Sequence, residues 1–66
     1  MDTIKINFER EVLPVLPRWA REDPQVVLVC KRDLAFRCDV FAAETAQQKR
    51  LLKAEARRLN RRADRQ

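Results

Sequence analysis

Residues 25–41 read QVVLVCKRDLAFRCDVF, and two secondary structures compete for them. Val26 to Cys30 is an apolar, largely β-branched run of the kind a buried strand shows. Phe36, Cys38 and Val40 alternate with Arg37 and Asp39, the period of a half-exposed strand. Lys31 to Ala35 then becomes the connection of an antiparallel hairpin. If Cys30 opposes Cys38, Leu28 opposes Val40 and the even-numbered apolar residues share one face. That register closes through Asp33-Leu34-Ala35, a loop without the glycine such turns favour, so a register shifted by two stays open. A helix through 25–37 is the competing reading; the hairpin is the one adopted.

Upstream, Thr3 to Phe8 alternate polar and apolar, which places Ile4, Ile6 and Phe8 on one face of a short N-terminal strand. Residues 9–22, EREVLPVLPRWARE, carry a helical pattern: Phe8, Val12, Leu16 and Trp19 recur at four, four and three. Asn7 is placed to cap it, with Glu9 and Glu11 in its first turn. Pro14 and Pro17 each remove a backbone donor and crowd the preceding turn, so the helix is expected to kink or split near them. Asp23-Pro24 ends it.

Downstream, residues 42–64 form the clearest helix, filled with Ala, Gln, Lys, Leu, Glu and Arg. Thr45, Gln48, Leu52, Ala56 (or Glu55), Leu59 and Ala63 repeat at three and four. Its apolar stripe is thin, and its alanines allow a close approach to a neighbouring element.

The fold expected is therefore α+β. A small antiparallel sheet, made of the hairpin and the N-terminal strand, packs on a long C-terminal helix beside a Pro-broken N-terminal helix. Residues 1–66 make one small domain ending in a basic helical tail, 49–66. The expected core draws on Ile4, Ile6, Val12, Leu16, Trp19, Leu28, Cys30, Phe36, Cys38, Val40, Leu52 and Leu59. Val27, Val29 and Phe41 are expected outside it. A domain this small buries little of its surface, which makes a homodimer or a place in a complex the expected state.

There is no glycine, so turns must rely on Pro, Asp and Asn. No stretch approaches the roughly 18 apolar residues of a membrane span, and MDTIKINFER holds no apolar core of signal-peptide length. A cytoplasmic protein with reduced thiols is the expectation. Cys30 and Cys38, without any histidine, cannot complete a zinc site within one chain. They read as buried structural thiols, or as a cross-strand disulfide in the register above.

The charge is the strongest functional signal. Residues 1–48 hold seven basic and eight acidic side chains; residues 49–66 hold eight basic and two acidic. The net charge of +5 thus belongs to one helix. Lys49, Arg50, Lys53, Arg57, Arg58, Arg61, Arg62 and Arg65 cover a broad face of it. Such a face suits the phosphate backbone, where each contact releases condensed counterions. The bland alternative is a solvated helix face. Trp19, between Arg18 and Arg21, reads as a core residue or as a base-stacking anchor.

No catalytic signature is present: there is no histidine base, no glycine-rich phosphate loop and no nucleophile motif. No enzyme activity and no cofactor are implied. The order of a short strand and a helix is shared with ribbon-helix-helix proteins, but the broken first helix and the strand-like 25–41 set that family aside. The expected function is a small accessory or regulatory protein that binds nucleic acid through its basic helix. The alternative is an inhibitor or adaptor, of phage or mobile-element type, that docks the same helix on an acidic protein surface.

Overall fold

In the computed structural model, which describes residues 7–64, the stretch 25–41 is two helices and not a hairpin. Pro24–Arg32 is one (α2) and Leu34–Ala42 the next (α3), with Asp33 alone between them. The reason lies in two aspartates ten positions apart. Asp23 Oδ1 accepts from the N–H groups of Gln25 (3.0 Å) and Val26 (3.4 Å), ahead of a proline at the first helical position. Asp33 Oδ1 accepts from Ala35 (2.9 Å) and Phe36 (3.2 Å). Each cap satisfies donors that a helix start otherwise leaves open. Lys31 and Arg32 lie in the last turn of α2, where the helix dipole favours cations.

The β-branched residues tolerate the helix because it gives them a core. Val26, Val29 and Cys30, spaced at three and one, are all buried. Leu28 stays 43% exposed, which an even-numbered strand face would not allow. In α3, Phe36 and Val40 are one turn apart and buried, whereas Cys38 is exposed. The expected opposition of Cys30 and Cys38 is therefore replaced by two free cysteines on separate helices. Val29, expected outside the core, is inside it.

The N-terminal segment follows its proline pattern. Asn7 caps a wide helical turn, Phe8–Val12, its side chain accepting from the Arg10 N–H at 3.3 Å. The Glu11 carboxylate accepts in return from the Asn7 N–H at 2.9 Å. A tight turn, Leu13–Val15, holds Pro14; the backbone then extends through Leu16 and Pro17 before a short helix, Arg18–Arg21 (α1). Phe8, Val12, Leu16 and Ala20, four apart, are buried, and Trp19 packs only partly against them. The N-terminal strand expected over residues 3–8 lies mostly outside the described residues, as do Ile4 and Ile6. Where it can be seen, Asn7 and Phe8 begin a helical turn instead.

The long helix is Ala46–Asp64 (α4). Its start is a reciprocal cap: the Gln48 N–H donates to Thr45 Oγ1 at 3.1 Å, and Gln48 Oε1 accepts from the N–H groups of Thr45 and Glu44. Ala56 is fully buried, and its small side chain lets α4 lie close on α2. The architecture is all-α, with no strand among the described residues, and α2 is its centre, packed on α1, α3 and α4. No helix among them is long and apolar enough to cross a membrane.

Candidate functional site

Two sides of α4 do different things. Ala56 and Asn60 face inward, joined by the half-covered Leu52 and Leu59. At 100° per residue, the outward arc carries Arg57, Arg50, Arg61, Ala54, Gln47 and Arg58 in turn. This arc of about 100° contains no carboxylate, and all four of its arginines are exposed. Arg50, Arg57 and Arg61 form a row of about 16 Å along the helix.

The eight cations expected to act together divide once their partners are seen. Arg57 reaches Asp23 Oδ2 at 3.4 Å, so the residue that caps α2 also ties down α4. Arg58 grips Glu55 with two hydrogen bonds, 2.6 and 2.8 Å. Lys53 places its ammonium 6.0 Å from the centre of the Trp19 ring, a cation–π contact. Lys49, Arg50, Arg61 and Arg62 belong to none of the ion pairs among the described residues. Arg65 lies outside the described residues.

Trp19 is half-buried at the rim of a hollow of about 360 Å³, beside Glu22, Asp23, Pro24, Lys53 and Arg57. Two cations face two carboxylates there, so the hollow has no net attraction for an anion. The Trp19 indole N–H is buried without a hydrogen-bond partner among the described residues.

Asn60, which the sequence reading leaves out of both core and site, carries the interior side of the same helix. It is 2% exposed. Its Nδ2 donates to the Gln25 carbonyl (2.7 Å) and to Gln25 Oε1 (2.9 Å), while its Oδ1 accepts from Arg32. Gln25 and Arg32 stand seven apart on α2, so one side chain holds two turns of the central helix and fixes how α4 is rotated. That rotation decides which arginines face outward. Asn60 falls one position beyond Leu59 in the apolar stripe, and polarity at such a position is the signal that could have marked it.

No family model matches the chain, and neither a curated protein nor a solved structure is significantly similar to it.

Proposed function

We propose that the protein is a small non-enzymatic accessory or regulatory factor that binds the phosphate backbone of nucleic acid along the outward face of α4. The observation that supports this reading most is the carboxylate-free arc of four arginines on a helix whose other side is committed to the core. Arg50 and Arg61 are the principal contacts, with Arg62 at the edge of the arc; Lys49 is half-buried on the inward side of the helix and contributes less. Arg57 and Arg58 share their charge with Asp23 and Glu55 and contribute less. A regular helix rigidly attached to a core presents these groups at fixed spacing, which lowers the ordering cost of binding.

The test is a salt titration of binding to a short labelled duplex and a short labelled single-stranded RNA. For about four phosphates engaged on duplex, log K should fall against log salt with a slope of about −3 to −4. Replacing Arg50 and Arg61 by Ala should lower the slope by about 2 and weaken all sequences alike. Both side chains are exposed, so thermal stability should not fall. Absence of binding above low salt would overturn the reading and leave α4 as a protein-docking or solubilising face.

A further inference from the structure

Helix α3 has two apolar faces, divided only by Arg37 and Asp39. Phe36 and Val40 fill the core from one side. On the other side Phe41, Leu34, Cys38, Ala42 and Ala35 follow one another around an arc of about 120°, all exposed. Leu34 is 64% exposed and Phe41 47%. A helix with that composition is normally covered on both faces.

The arc does not end at α3. Next to Ala42 opens a hollow of about 300 Å³, lined by Asp39, Ala42, Ala43, Gln48, Leu51 and Leu52. Leu51, across it on α4, is 61% exposed. Phe41 at one edge of the arc and an apolar hollow at the other thus lie on either side of Cys38. That is the self-complementary arrangement a two-fold interface requires, since each copy must present both halves of the contact.

Charge selects the occupant. The flanks of the arc carry one Arg37 and one Asp39, so α3 is electrically neutral in a chain of net charge +5. An acidic partner or a nucleic acid is drawn to α4, and this face gives it nothing. A second copy brings an equally neutral face. The hollow's wall on α4, centred on Gln48, lies about 150° around that helix from the row Arg50, Arg57 and Arg61, so the two basic rows point away from the contact. By ordinary side-chain areas the uncovered apolar surface comes to roughly 400 Å² a copy, about 800 Å² for a pair before its polar rim is added. That is short of the roughly 1,200 Å² of a stable interface, so with its rim the contact belongs to the weak, reversible class.

We infer that the protein forms a reversible symmetric dimer through the exposed face of α3, each Phe41 entering the hollow between α3 and α4 of the other copy. The dimer places two basic α4 faces on its outside. The contact stands on the apolar arc and holds whether or not α4 binds nucleic acid.

Sedimentation velocity of the full-length protein over a range of concentrations tests the stoichiometry. A mass rising from 7.9 kDa toward twice that value is expected. Phe41→Asp should weaken the dimer by about tenfold or more while leaving the helical circular dichroism unchanged. The position of the contact is read separately. The arc is centred on Cys38, so a two-fold pairing brings the two Cys38 thiols together, and a short bismaleimide should link two chains. Cys38→Ser should abolish the link, as Cys30 is buried. A strict monomer at all concentrations would overturn the inference. So would a dimer that survives Phe41→Asp and gives no Cys38 link, because its interface would lie elsewhere.

Discussion

Asn60 and Cys30 sit in the same interior and make opposite demands on it. Asn60 is buried only because three hydrogen bonds replace its water, and a leucine of similar size would leave Gln25 and Arg32 without that partner. Asn60→Leu is expected to destabilise the fold by about 1–3 kcal/mol, read as a lower urea midpoint at unchanged slope. Cys30 has no such partner: burial pushes its thiol pKa up to about 11. The unfolded chain ionises first, in the ordinary thiol range near 8.5. Stability contributed by this group is therefore complete below that range and declines as pH rises toward about 11. Urea midpoints taken at rising alkaline pH should fall, and Cys30→Ala should flatten that fall. At neutral pH a thiol reagent should label Cys38 quickly and Cys30 only after denaturation.

At the scale of elements, the fold is organised by its caps. Asp33 ends α2 and begins α3 with no residue to spare, so Asp33→Ala should cost about 1 kcal/mol in thermal or urea unfolding and loosen both helices at once. This is also where the expectation of a hairpin fails. Phe36 and Val40 satisfy a period of two and a helical turn equally, and the valines of α2 weigh toward strand, so periodicity could not decide. Asp23-Pro24 and Asp33 do decide: each is a helix-start signal, whereas the hairpin reading makes them the end or connection of an element. The split at Pro14 and Pro17, the Asn7 cap and the long helix were legible, since proline geometry and helix propensity act locally. The basic face was legible as a charge run. Its division was legible only in part: Glu55–Arg58 follows from spacing, whereas Asp23–Arg57 joins residues 34 apart in the chain.

For the whole molecule, α2 is the element the others share, and Val26 at its start is fully buried. Val26→Ala removes two buried carbons and opens a cavity, at a cost of about 2–3 kcal/mol. A core this small rarely supplies more than about 3–5 kcal/mol in all, so the variant should keep about 0–3 kcal/mol and unfold at a much lower urea midpoint by circular dichroism. If two copies share α3, mass action adds to that margin. The melting temperature of the natural sequence should then rise with protein concentration, and that of Phe41→Asp should not.

From Pro24 to Asp64 only Asp33 and residues 43–45 lie outside a helix, and this spacing has a consequence for degradation. A protease must thread several residues of extended chain through its cleft, and no joint in that span offers them. Its lysines and arginines, ten in number, are so many invitations to trypsin in an unfolded chain and almost none in the native one. Cleavage there has to wait for a helix to open, so its rate follows the population of opened molecules and not the density of sites. A chain that looks made for digestion becomes, once folded, a reporter of its own opening.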